Sequence, residues 1–308
     1  MGDRGSPLPA GVPFACGAVE EHPVYRHRRK GGSRRVEPGE ACADRAGVPG
    51  AARGDFGDVP GVPLPRILPG SGGTVKGVFV TGTDTGVGKT VVCGLLARFL
   101  RAQGIRAVTQ KWVQTGTGGE PTDLLVHRRL MGISGGVTEA ELRNLSPYRF
   151  AFPASPHLSA AREGAEVDAE VIVAAYRRLA AAHDAVLVEG AGGILVPFSL
   201  RLLTVDLVAR LGMSAVVVVG NRLGCVNHAL LTVEAIRLRG IRPVALVFNR
   251  PEASAAAPEE VLSDNLRAVE EIGRVPVLGE LPFLPDPADG AEAFAPVGRA
   301  FLSLWREG

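Results

Sequence analysis

The chain has 308 residues, 46% hydrophobic and 21% charged, with 34 basic against 32 acidic side chains. Those proportions are those of a folded globular protein and exclude disorder throughout, a coiled coil and a polycation built for nucleic acid. The longest strongly apolar run, Ala215–Val219, is far too short to span a bilayer, and the first thirty residues lack an apolar signal core. A cytosolic protein without membrane contact is expected.

Residues 1–74 stand apart, with 15 Gly and 10 Pro and no helical or strand period. Such a composition buries too little apolar surface to offset the entropy of ordering, so a disordered extension is expected there, followed by one domain over 75–308. Its basic cluster (Arg26, Arg28, Arg29, Lys30, Arg34, Arg35) reads as a solvated charge run. Cys16 and Cys42 with His22 and His27 fit no zinc spacing, and none of the four cysteines forms a CxxC pair, so they read as reduced thiols.

From residue 75 strands and helices alternate. Gly77–Val80 is a short apolar strand entering a glycine-rich turn. Lys89–Gln103 places Val92, Leu95, Leu96, Phe99 and Leu100 on one helical face, with Gly104 as its stop. Ala107–Gln110 is a second strand, and Glu170–His183 a second helix with Asp168 as its cap. Ala185–Val188, Ala215–Val219, Val244–Phe248 and Val275–Leu278 are further strands, separated by predicted helices Asn227–Arg239 and Pro258–Ile272. Wholly apolar strands alternating with amphipathic helices predict an α/β fold: a doubly wound, mainly parallel sheet with helices on both faces.

The strongest local signal is Gly82-Thr83-Asp84-Thr85-Gly86-Val87-Gly88-Lys89-Thr90, between a predicted strand and a predicted helix. Glycines let successive N–H groups turn inward onto phosphate oxygens, Lys89 would reach the β- and γ-phosphates, and the Thr90 hydroxyl would coordinate magnesium. The stretch has one residue more than the strict motif between Gly82 and the Gly88-Lys89-Thr90 triplet. Glu189 follows the apolar strand Ala185–Val188 and precedes Gly190-Ala191-Gly192-Gly193, which suits a carboxylate holding the metal near bound phosphates. Asp123 is a candidate second carboxylate that spacing does not select. Lys111 opens the loop after the second strand; its spacing fits a phosphoryl-neutralising lysine and a solvated one equally well.

With these residues in view, the chain resembles the ATP-dependent dethiobiotin synthetase family. The resemblance runs from about Gly77 to Phe283 and rests on five blocks in order: FVTGTDTGVGKT (79–90), KWVQTG (111–116), SPHLSA (155–160), VEGAGG (188–193) and NRLGCVNHALLT (221–232). The family's phosphate loop carries the same additional residue. The resemblance implies condensation of 7,8-diaminopelargonate, CO2 and ATP through a carbamate and a carbamic–phosphoric anhydride, with magnesium and without an enzyme nucleophile. It implies that Lys89, Lys111 and Thr85 serve catalysis, and that Gly82, Asp84, Thr85, Gly86, Val87, Gly88, Lys89 and Thr90 cradle ATP. Asn249 and the Leu281–Leu284 stretch, with Pro282 and Phe283, would line the adenine pocket. Thr90, Asp123 and Glu189 would bind the metal. Lys111, Thr115, Gly192 and the loop Leu223-Gly224-Cys225-Val226-Asn227 would contact the diamine, the loop reaching it across a homodimer. Two positions depart from the family: Trp112 stands where Pro is usual, and Thr115 where many members have Ser.

Three rivals are weaker. A cobyrinate-synthetase-like enzyme needs a glutamine-hydrolysing domain, and only 24 residues follow Leu284. A partitioning or cell-positioning ATPase (ParA/MinD-like dimer switch) carries an extra lysine early in its phosphate loop, absent from Thr81–Val87. A binding module without turnover leaves Lys111 and the paired carboxylates without a purpose.

Overall fold

The computed structural model describes residues 76–250 and 257–307; the disorder expected of residues 1–74 lies outside the described residues. The chain runs β1 (Lys76–Gly82), α1 (Lys89–Ala102), β2 (Ala107–Lys111), β3 (Val113–Thr115), α2 (Thr122–Leu130), α3 (Glu139–Leu145), β4 (Tyr148–Phe150), α4 (Pro156–Arg162) and α5 (Ala169–Ala182). It continues through β5 (Ala185–Gly193), β6 (Pro197–Ser199), β7 (Leu202–Leu203), α6 (Thr204–Arg210), β8 (Ser214–Gly220), α7 (Cys225–Arg237), β9 (Pro243–Asn249), α8 (Glu259–Gly273), β10 (Val277–Leu281) and α9 (Ala291–Glu307).

Six strands form one parallel sheet in the order β10-β9-β8-β1-β5-β2. Alternation along each strand divides the core into two layers. Val78, Val80, Leu187, Val216 and Val218 meet Leu95, Leu96 and Leu100 of α1 and Phe301 of α9. Phe79, Val186, Val188, Val217 and Phe248 meet Ile172 of α5, Val208 of α6, Val233 of α7 and Val269 of α8. This is the α/β parallel-sheet P-loop architecture expected from the sequence. Chain direction across the sheet reverses at β1, which pairs with β5 on one side and β8 on the other. Ligands of such sheets bind outside the carboxyl ends of the strands at this reversal, and the phosphate loop leaves β1 there.

Several boundaries move. The predicted turn after Val188 is strand: β5 continues to Gly193, where Gly193 pairs with Gly82 in the β1 ladder. Helix α7 begins at Cys225, not Asn227, because Gly224 takes the left-handed conformation that starts it (φ 87°). β10 begins at Val277, later than expected. The expected Asp168 cap is present, its Oδ1 accepting the Glu170 N–H at 2.8 Å. Helix α9, which the periodicity reading left out, contains Pro296 and buries Phe294, Val297, Phe301 and Leu302. Among the described residues no helix is long and apolar enough to cross a membrane.

Candidate active site

The phosphate loop is held from two sides. The Thr83 N–H donates to Val218 O of β8 at 3.0 Å, and Asn249 Nδ2, at the end of β9, donates to Val87 O at 2.9 Å. Gly88 sits at φ 96°, and a Cβ there would lie 2.1 Å from Asn249 Nδ2, so both backbone and packing demand glycine. The loop feeds α1 with no acidic residue in its first turn and no side-chain cap. Its N–H groups therefore remain available to an anion. Lys89 folds back over the loop and donates from Nζ to Asp84 O at 2.8 Å. Burial draws its pKa down to about 8, with Glu189 opposing that shift.

Beside the loop lies a buried charged cluster built from four elements. Lys111 at the end of β2 and Glu189 in β5 are register partners in neighbouring strands. Lys111 Nζ is 2.9 Å from Glu189 Oε1 and 2.7 Å from Asp123 Oδ2 of α2, and it also donates to Gly190 O at 3.1 Å. The Thr90 hydroxyl of α1 donates to the same Oε1 at 3.0 Å. On the other oxygen, His127 Nε2 of α2 lies 2.8 Å from Glu189 Oε2. Burial works to raise the Glu189 pKa, but Lys111 and His127 outweigh it and hold the carboxyl well below the usual range. For Lys111, burial works to lower the pKa and the contacts with Glu189 and Asp123 raise it on balance. Each buried charge depends on its partners: stripping one typically costs about 3–5 kcal/mol.

The donor set fits magnesium. Thr90 Oγ1, Glu189 Oε1 and Asp123 Oδ2 are hard oxygens: the two carboxylates share Lys111 Nζ, and the Thr90 hydroxyl meets Glu189 Oε1. Among the described residues no cluster of three His, Cys, Asp or Glu could enclose a metal. Two carboxylates and a hydroxyl suit an ion that keeps waters and substrate phosphates.

The expected site residues are brought together unevenly. Thr85 faces the β5 glycines: a Cβ on Gly192 (φ 70°) would lie 3.7 Å from Thr85 Oγ1. Thr115 closes β3, directly before Gly116 (φ 78°). Pro282 and Phe283 follow β10, whose last residue Leu281 pairs with Asn249. Asp84 carries the Thr85 N–H on Oδ1 at 2.7 Å and meets Arg222 at 3.6 Å. Leu223 is exposed, and among the described residues no hydrogen bond or ion pair joins Leu223–Asn227 to the phosphate loop. Asn227, expected to open its helix, lies in the first turn of α7.

The family model described as "AAA domain" matches residues 76–289. The chain is 46% identical over 227 residues to an ATP-dependent dethiobiotin synthetase of Anaeromyxobacter dehalogenans, covering 72% of this chain and 97% of the relative. It is 46% identical over 204 residues to that of Chlorobaculum tepidum, covering 65% and 84%. The chain belongs to the ATP-dependent dethiobiotin synthetase family. A solved MinC:MinD cell division complex of Aquifex aeolicus shows a TM-score of 0.48 at 13% identity, covering 74% of this chain and 96% of that one.

One of the two positions that depart from the family has a physical account. Trp112, where dethiobiotin synthetases usually have Pro, does not crowd Lys111. Its ring turns into the core against Phe79 (centroids 5.0 Å apart) and Phe198 (6.2 Å), and its Nε1 donates to Gln110 Oε1 at 3.0 Å. Cys225 is buried, and its N–H donates to Arg222 O at 3.1 Å in the turn that opens α7. One member of the cluster, His127, escaped the sequence reading. Its signal was the i, i+4 spacing from Asp123, which puts both side chains on one face of α2.

Proposed function

We propose that the protein is an ATP- and magnesium-dependent dethiobiotin synthetase of biotin biosynthesis. It joins CO2 to 7,8-diaminopelargonate and closes the ureido ring at the expense of ATP. The observation that carries this reading is Lys111 Nζ, fixed between Asp123 and Glu189 beside a phosphate loop that also presents Lys89. Two ammonium groups beside one phosphate loop suit the negative charge that gathers during phosphoryl transfer.

One amine of the substrate adds to CO2, losing a proton to give a carbamate. The carbamate oxygen attacks the γ-phosphorus of ATP, ADP leaves, and a carbamic–phosphoric anhydride results. The second amine attacks the carbamoyl carbon, phosphate leaves, and the ring closes. No step needs a protein nucleophile; positioning and charge stabilisation suffice. Lys89 holds the β- and γ-phosphates, exchanging the Asp84 carbonyl for phosphate oxygens. Lys111, with Thr85, Thr115 and the close backbone at Gly192, holds the carbamate and the moving phosphoryl group. Asn249, Pro282 and Phe283 line the adenine side. Thr90, Asp123 and Glu189 hold Mg2+, which when bound screens the charge of the ATP phosphates. The substrate carboxylate sits at the start of α7, near Leu223, Gly224 and Asn227, presented by a second copy in a homodimer. The catalytic unit is residues 75–308, and the compartment is the cytoplasm.

Purified protein incubated with Mg-ATP, bicarbonate and diaminopelargonate is expected to yield dethiobiotin by mass spectrometry, and only with all components present. ATP binding without product would overturn the reaction while leaving the nucleotide site in place.

A further inference from the structure

This inference rests on the reading of Glu189 as an oxygen donor to the metal. We propose that His127 is a positioning residue that fixes the rotation of the Glu189 carboxylate, and so sets the affinity of the cation site. The two carboxylate oxygens meet different surroundings. Oε1 receives Lys111 Nζ at 2.9 Å and Thr90 Oγ1 at 3.0 Å, which is the side on which the metal donors gather. Oε2 is turned away from them and lies 2.8 Å from His127 Nε2.

His127 is an expensive residue to bury for packing alone. It is 0% exposed, and among the described residues neither ring nitrogen makes an aligned hydrogen bond, Nε2 meeting Glu189 Oε2 by distance alone. A leucine of similar size would fill the space without stranding a polar atom. What the imidazole adds is a ring nitrogen 2.8 Å from Oε2, an oxygen that makes no aligned hydrogen bond among the described residues. Without that nitrogen, Oε2 is free to rotate toward Lys111 and carry Oε1 off its position. The ring is itself held firmly. Helices α1 and α2 meet so closely at Gly94 that a Cβ there would lie 3.3 Å from His127 Cα and 2.6 Å from Leu130 Cδ1. Asp123, one turn earlier on the same face, has its N–H on Gln114 Oε1 at 3.3 Å. Helix α2 thus supplies a direct donor and, one turn on, the group that orients the opposite donor. Partners that orient metal ligands in this way typically matter about 10–100-fold in affinity or activity.

The test compares His127→Leu, which keeps the bulk, with His127→Gln, which keeps an N–H. The probe is Mn2+ binding to the ADP complex, followed by electron paramagnetic resonance, with metal-free ADP affinity reporting an intact phosphate loop. His127→Leu is expected to weaken Mn2+ about 10–100-fold while ADP affinity holds, and His127→Gln to recover to within about fivefold of the parent. In turnover the Mg2+ concentration for half activity rises with the Leu variant, and the diaminopelargonate KM stays put. Parent-like Mn2+ binding by His127→Leu overturns the proposal, as does equal loss in both variants. If His127→Leu loses ADP binding altogether, His127→Gln decides alone: within about fivefold of the parent supports the role, and a larger loss overturns it. Failure of the unaltered protein to make dethiobiotin overturns the proposed function instead, and leaves the Mn2+ comparison to judge His127.

Discussion

Lys89 and Lys111 are neighbouring buried lysines whose pKa values move in opposite directions. Lys111 touches two carboxylates, which raise its pKa against the pull of burial. Lys89 touches a backbone carbonyl, and burial lowers its pKa to about 8. The first is locked into the site, and the second has a partner it can exchange for phosphate. Lys89→Ala is therefore expected to fold and to lower kcat by about 10²–10³-fold or more, measured as dethiobiotin formed per enzyme. At Gly88 the constraint is steric and conformational together, φ 96° with Asn249 Nδ2 2.1 Å from the site of a Cβ. Gly88→Ala is expected to cost about 1–3 kcal/mol of stability from backbone strain alone. It should also weaken ATP binding, because the Asn249–Val87 bond must break; urea denaturation and nucleotide titration read the two effects separately. His127 belongs to this scale too, since its importance comes from one nitrogen.

Elements decide which ends of these residues meet. Glu189 reaches Lys111 because β2 and β5 are adjacent and in register, although the residues are 78 apart in sequence. Helix α5 is pinned against β1 by Tyr176, whose hydroxyl would lie 2.2 Å from a Cβ at Gly77. Burial pushes the Tyr176 pKa up from 10.0 to about 12. Below pH 10 the phenol is neutral in both folded and unfolded chains and stability does not change with its titration. Between pH 10 and about 12 the unfolded chain ionises first, so stability falls as pH rises. Tyr176→Phe is expected to flatten that fall, as seen by denaturation midpoints across the window. The start of α7 carries the proposed carboxylate contact, where helix N–H groups favour an anion. Asn227→Ala is expected to raise the diaminopelargonate KM far more than the ATP KM; equal effects on both would move Asn227 out of the substrate site.

At the scale of the whole molecule, the site lies where the order of the parallel strands turns back, with β1 between β5 and β8. That position gathers residues from α1, β2, α2 and β5 around one carboxylate, Glu189. The Gly/Pro-rich residues 1–74 are expected to contribute nothing to it. Deleting them should leave activity within about twofold, since their Gly/Pro-rich composition carries none of the expected site residues. A large loss in steady-state turnover would show that the segment has a role in catalysis or assembly.

The amino-acid sequence by itself determined the parallel α/β class, the phosphate loop between strand and helix, and the acid ending an apolar strand. Each of these depends on residues within about a dozen positions of one another, where period, glycine placement and apolar runs act directly. Lys111 and Asp123 remained open from spacing alone, and the family resemblance selected them. Only the tertiary structure decided that Asp123 and Glu189 share one lysine, that β5 continues through its glycines, and that Trp112 turns inward. It alone brought out His127, 62 residues before Glu189 in the chain. Pairings at such separations leave no local pattern: they exist only once the sheet register and the close approach of α1 and α2 bring the side chains within hydrogen-bonding distance.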